Sequence, residues 1–298
     1  MTDEKKEELC VVYRGQIEDT PENETVTVPE GIVEIAENAF RGYTNLKCIR
    51  LPKSLVRISA CAFAECKALS RVELSEGLVE IADEAFFSCT ALSALSLPST
   101  VKSLGEGCFE GCGALSRVEF SEGLETIGAC AFAYCFSLKT LTLPDSCTNI
   151  EFNAFAYCFE LESVKLPVLL GYLDESVFQG CRSLSHIELS PRLHTVGRRA
   201  FLGCSSLVML ILPISLSKIG FDAFAECTAL SRIALPRGVR EIEDGDIFRG
   251  CDKLAEISFG GSKEGFELLF GTDALTIEHS DGTVSVPRVS FLEIKNEI

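Results

Sequence analysis

Tryptophan is absent from this 298-residue chain, methionine occurs twice and histidine three times. Three scattered imidazoles, at His186, His194 and His279, leave little material for a nucleophile, base and orienting group held together. The chain has 15 cysteines but no Cys-x-x-Cys, so the paired spacing of a zinc site is missing. No Gly-x-x-x-x-Gly-Lys spacing cradles a phosphate, and Gly260-Gly261-Ser262-Lys263 does not supply one. Lysine and arginine total 27 against 44 acidic residues, a net charge of −17, and the cations do not cluster. That balance argues against nucleic acid and anionic membrane surfaces as partners. No apolar run approaches the roughly 18 residues of a membrane span. The opening Met1-Thr2-Asp3-Glu4-Lys5-Lys6-Glu7-Glu8 is not followed by the apolar core of a secretory signal. The expected location is therefore cytoplasmic, with the cell surface or secretion by another route as the alternative. The hydrophobic content of 47% excludes a disordered chain.

What is there is a period of 23 residues. Phenylalanine recurs at positions 40, 63, 86, 109, 132, 155, 178, 201 and 224, with Phe248 one residue late. An aliphatic precedes each Phe by five residues, from Ile35 through Ile127 to Ile219. A leucine follows by six, from Leu46 to Leu230, and a β-branched residue or leucine by nine, from Ile49 to Ile233. A fixed period in this range belongs to a solenoid of stacked short coils sharing one core. Leu-x-x-Val-x-Leu-Pro alternates like a strand with one buried face, and proline ends its ladder. Ile-x-x-x-Ala-Phe-x-x-Cys fits a tight turn or short 3₁₀ segment that returns its apolar residues inward. Ten such coils at about 4.8 Å each predict a body about 48 Å long.

Nine cysteines share one repeat position, three residues after the Phe, from Cys66 to Cys251. That register places them in the core as small hydrophobes, reduced and metal-free. The closest pairs, Cys61/Cys66, Cys108/Cys112 and Cys130/Cys135, are read in the same way.

The motif Leu-x-x-Val-x-Leu-Pro-x-x-Leu-x-x-Ile-x-x-x-Ala-Phe-x-x-Cys resembles the BspA-type leucine-rich repeat of anaerobic and gut-associated bacteria, over about residues 25–259. The resemblance implies a curved, non-enzymatic solenoid that binds proteins or surfaces through a strand-lined face, often on an exported protein. The expected architecture is a right-handed leucine-rich repeat solenoid of about ten repeats. Residues 1–31 are expected to form an N-terminal capping hairpin and half repeat, 32–259 the repeat array, and 260–298 a C-terminal cap.

Other chemistry reads blandly. His279-Ser280-Asp281-Gly282 is turn chemistry, Glu241, Glu243 and Asp244 look like solvated loop residues, and the sequon Asn23-Glu24-Thr25 matters only in a secreted setting. No catalytic residue, cofactor or metal is expected.

Comparison of the coils at each repeat position singles out two surface anomalies. Eight and ten residues after the Phe, the outward strand positions are mostly polar or small, but one coil carries Met209 and Ile211. His186 and Arg232 occupy the same row on the flanking coils. Two and four residues after the Phe, two adjacent coils carry Tyr134/Phe136 and Tyr157/Phe159 where most others are polar or small. Clustered surface aromatics are common interaction anchors. The expected function is a non-enzymatic scaffold for a protein partner, with a homodimer through the aromatic edge as a further option and a surface adhesin-like role as the alternative.

Overall fold

In the computed structural model, which describes residues 11–15, 17–243, 246–271 and 275–291, the repeat folds into about eleven stacked turns. Strands 23 residues apart pair in parallel and in register: Thr140 opposes Ser163, Leu141 opposes Val164 and Thr142 opposes Lys165. The central residue of each points inward and the flanking two point out, as in Thr140–Thr142 and Ala94–Ser96.

A second set of strands departs from the sequence-based expectation. The aliphatic residue five before each Phe lies in a short strand rather than in the turn, as in Arg57–Ile58 and Thr126–Ile127. These strands build one sheet of seven and another of four. The polar, exposed or half-exposed neighbour masks the two-residue period, which is too short to show alternation.

The Phe turn is not a 3₁₀ segment. Residues two before and two after the anchor take positive φ, for example Cys130 at 55° and Tyr134 at 59° around Phe132. This alternation turns every second N–H toward the next coil. Cys130 N, Phe132 N and Tyr134 N donate to the carbonyls of Phe152, Ala154 and Ala156 at 3.0, 2.8 and 2.9 Å. The Phe rings beneath form one stack from Tyr13 through Phe248, with centroids 5.0–6.1 Å apart and planes within 20°.

The nine aligned cysteines do more than fill space. Each Sγ lies 3.0–3.3 Å from the Phe carbonyl of the preceding coil. The Phe132 carbonyl, for instance, accepts the Cys135 N–H within its own coil and the Cys158 thiol of the next, both at 3.3 Å. Both lone pairs of a buried carbonyl are thereby used. Burial pushes the Cys158 thiol up to about 12, because a thiolate loses its hydration there.

The first sheet is interrupted at three junctions, after Arg71–Glu73, Arg117–Glu119 and His186–Glu188. In these coils alone serine replaces the proline that ends the strand: Ser75, Ser121 and Ser190. Proline confines the residue before it to extended backbone. Leu97, Leu143, Leu166 and Leu212, each between the end of a strand and a proline, donate to Glu119, Lys165, Glu188 and Ala234 of the next coil. Leu74, Phe120 and Leu189 lack that constraint and are half-buried, as is Leu51 before Pro52.

The N-terminal segment is not the expected hairpin. Val11–Tyr13 and Thr25–Thr27 belong to different sheets, each pairing in parallel with the next coil. The intervening polar residues close a turn of the solenoid, with Asp19 accepting from Thr44 N and Asn45 N at 2.7 and 3.0 Å. Leu9 and Cys10 lie outside the described residues. At the other end a helix, Lys263–Phe270, starts at Ser262, whose hydroxyl accepts from Gly265 N at 3.2 Å. Phe266 packs against Phe259, Phe270 and Phe291, and Arg288–Phe291 adds a further parallel strand.

Candidate interaction surfaces

Backbone alternation at the Phe turn presents the residues two and four after the anchor along one edge of the stack. Tyr134, Phe136, Tyr157 and Phe159 meet there. Tyr134 stacks on Tyr157 at 4.9 Å, Phe136 stacks on Phe159 at 5.1 Å, and Tyr and Phe within each coil meet edge to face at 6.2 and 6.3 Å. Tyr134 and Phe136 are each 40% exposed; Tyr157 and Phe159 are half-buried.

The tile is seated at both ends by glycines that sequence reasoning did not connect with it. A Cβ on Gly113 would lie 3.3 Å from the Phe136 ring, and one on Gly180 would lie 2.6 Å from the Tyr157 ring. Arg182 covers the outer face of Phe159 at 4.7 Å, and Gln179 Nε2 donates to the Tyr157 hydroxyl at 2.7 Å. The ring faces are thus used within the tile, and its edges and the Tyr134 and Phe136 flank meet solvent.

From Tyr157 an open groove of about 690 Å³ runs over Gly180 and Gly203 to a wall made by Arg249, Glu278 and His279 of the C-terminal end. His279 Nδ1 is buried 3.4 Å from Asp252 Oδ1, while Ser280 gives its hydroxyl to Asp252 Oδ2 at 2.7 Å. Asp281 accepts from Thr283 N and Oγ1 at 2.9 and 2.6 Å. Ser280 is therefore bonded to Asp252 rather than to the imidazole, and the segment is a bonded turn. These bonds hold the Asp252 carboxyl below its usual range, the Ser280 hydroxyl foremost.

Met209 and Ile211 stand on the first sheet at 56% and 66% exposure, covered by no neighbour. Arg232 is the register partner of Met209 and sits 3.5 Å from Glu256. His186 is on the preceding coil, 3.8 Å from Glu188, across the unpaired junction. This group and the aromatic tile occupy different rows of the coil, so the structure does not join them into one site. Comparison of the outward strand positions missed Val208 and Ile214 beside them, at 52% and 72% exposure. The same coil-by-coil comparison finds both once it is extended beyond the strand, since the other coils carry Lys, Ser, Glu or Ala at the position of Val208.

Glu243 is not a solvated loop residue. It accepts from Arg198 Nε at 2.6 Å and Phe221 N at 3.3 Å and lies 3.1 Å from Lys218 Nζ. The Arg198 bond, with Lys218 and Phe221 N adding to it, holds its carboxyl down at about 2. Asp244 lies outside the described residues. Among the described residues no group of three His, Cys, Asp or Glu is placed to hold a metal ion, and no helix is long and apolar enough to cross a membrane.

No curated protein matches the chain. Solved structures similar to it include a leucine rich cell surface protein from Faecalibacterium prausnitzii, 27% identical over 84% of this chain and 83% of that one, with a TM-score of 0.44. A leucine-rich repeat protein of T. pallidum is 29% identical over 69% and 77%, with a TM-score of 0.45. The pneumococcal vaccine antigen PcpA is 19% identical over 91% and 89%, also at 0.45. The pattern described as BspA type leucine rich repeat region matches residues 33–161 and 148–268 in six copies. With that match, the 23-residue period and the parallel stacked coils, the chain belongs to the BspA-type leucine-rich repeat family.

Proposed function

We propose that this protein is a non-enzymatic scaffold that binds a protein partner through its solenoid surface, with the aromatic tile as one contact. The carrying observation is the pair of tyrosines at the left-handed turn position, which the coils from Phe40 to Phe248 otherwise fill with glycine, glutamate or serine. Tyr134 and Tyr157 hold φ of 59° and 60°, at a repeat position that Gly42, Gly111, Gly180, Gly203 and Gly250, and with a side chain Glu65, Ser88 and Glu226, fill in other coils. A side chain there costs on the order of 1 kcal/mol. Five coils close with glycine, so coil closure does not require a tyrosine there. Large, rigid, partly exposed rings with their faces already stacked lose little entropy on docking.

The double variant Phe136→Ser/Phe159→Ser tests this reading. Partner recovery from the native source, or the dimer fraction in sedimentation, falls while the melting temperature holds. Earlier unfolding with partners retained makes the tile a purely structural staple. Cell fractionation distinguishes a cytoplasmic scaffold from one displayed at the surface.

A further inference from the structure

The exposed apolar residues of one coil form a ridge across the first sheet. Val208, Met209, Ile211 and Ile214 are 52%, 56%, 66% and 72% exposed. They lie within seven successive apolar residues, Val208 to Ile214, whose alternate members Leu210 and Leu212 face the core. Val168 and Pro191 hold the position of Ile214 on the two preceding coils and are also exposed. Two strand spacings make that row about 10 Å long. An exposed apolar strip of this kind marks an interface.

The charge around the ridge is opposite in sign to that of the molecule. The four coil segments 162–169, 185–192, 208–215 and 231–238 carry four cations, Lys165, Arg192, Arg232 and Arg237, and two acids, Glu162 and Glu188. The whole chain has 27 cations to 44 acids. Arg232 shares Glu256, whereas Lys165, Arg192 and Arg237 form no ion pair with a described residue.

We propose that this ridge docks an extended segment of another protein that carries large aliphatic side chains flanked by aspartate or glutamate. The inference rests on the scaffold reading and adds a place and a partner chemistry to it. The occupant is extended because the ridge runs along the strand Met209–Ile211 and on past Pro213 to Ile214. Its aliphatic groups cover Met209, Ile211 and Ile214, and its carboxylates meet Lys165, Arg192, Arg232 and Arg237. Two ridges brought face to face would set cations against cations, which disfavours a symmetric pair. The net charge of −17 repels an anionic membrane at long range.

The test titrates the full-length protein into a fluorescent eight-residue peptide alternating Ile with Asp, read by anisotropy. Wild type binds it, and binding weakens at least tenfold when the peptide's Ile residues are replaced by Ser or its Asp residues by Lys. Ile211→Ser/Ile214→Ser weakens binding at least tenfold, and so does Arg192→Glu/Arg237→Glu, with melting temperatures unchanged. Phe136→Ser/Phe159→Ser leaves it intact. Equal binding by wild type and the Ile211→Ser/Ile214→Ser protein overturns the proposal, as does equal binding of the Lys peptide. Sedimentation with phosphatidylserine vesicles that Ile211→Ser/Ile214→Ser abolishes also overturns it and assigns the ridge to a membrane. A dimer lost in the same variant overturns it in favour of a second copy. Failure of the peptide titration sinks this site alone, because the scaffold reading is judged separately by native partner recovery.

Discussion

Replacing one rung of the cysteine ladder measures what the ladder contributes. Cys158 is fully buried, and its Sγ lies 3.3 Å from the Phe132 carbonyl. Cys158→Ala removes roughly one methylene-sized group from the core, about 0.8 kcal/mol. It also removes a weak thiol hydrogen bond of less than about 1 kcal/mol and leaves a small cavity. The sum is about 2 kcal/mol, or about a 3 °C fall in melting temperature for a cooperative chain of this size. Cys48, half-buried and outside the ladder, serves as the control; Cys48→Ala changes stability by less than about 0.5 kcal/mol. Reactivity gives an independent reading. A thiol raised from 9.0 to about 12 has a thiolate population about a thousandfold lower near neutral pH. Iodoacetamide followed by mass spectrometry therefore labels Cys48, Cys61 and Cys130 long before Cys158 in the folded protein. Because folding raises the ladder thiols above their unfolded value, their contribution to stability is complete below about pH 9 and is lost as pH climbs toward 12. Alkylation of Cys158 at the pace of Cys48, or a Cys158→Ala protein that melts with the wild type, would refute the ladder as a bonded element.

The serine junctions make a prediction for amide exchange. Ser70, Ser116, Glu162, Ser185 and Ser231 N–H groups donate to the coil before them, whereas those of Ser93, Lys139 and Val208, just past the interruptions, have no such bond. Hydrogen exchange followed by NMR is faster at these three, and equal protection along the row would disprove the interruptions. The Glu243 network predicts acid sensitivity. Its carboxyl falls from 4.5 to about 2 on folding, so its contribution is complete above about pH 4.5 and is lost as pH drops toward 2. Glu243→Gln flattens stability over that window, and an unchanged acid profile counts against the Arg198 and Lys218 contacts.

The stacked core was legible because one period carries it. Phe40 through Phe248, the leucines six residues later and the central strand residues all face inward as their spacing requires. The aromatic tile was also legible, since an internal comparison of coils isolates Tyr134, Phe136, Tyr157 and Phe159. Its seats were not, because Gly113 and Gly180 look like ordinary turn residues until the ring positions are known. The apolar ridge was half legible: Met209 and Ile211 stood out on the strand, while Ile214 lay past Pro213, where no strand position flagged it.

Periodicity determined the solenoid, the inward residues and the surface outliers by itself, because each of these depends on spacing within one coil and repeats from coil to coil. The thiol-to-carbonyl bonds, the second row of strands, the left-handed turn positions and the capture of Glu243 by Arg198 came only with the stacked molecule. Each depends on distances between coils, between residues 22 to 45 apart in the chain, and burial of the intervening core sets those distances. Spacing along a chain says which residues face inward; it does not say how far apart two neighbouring coils hold their polar atoms.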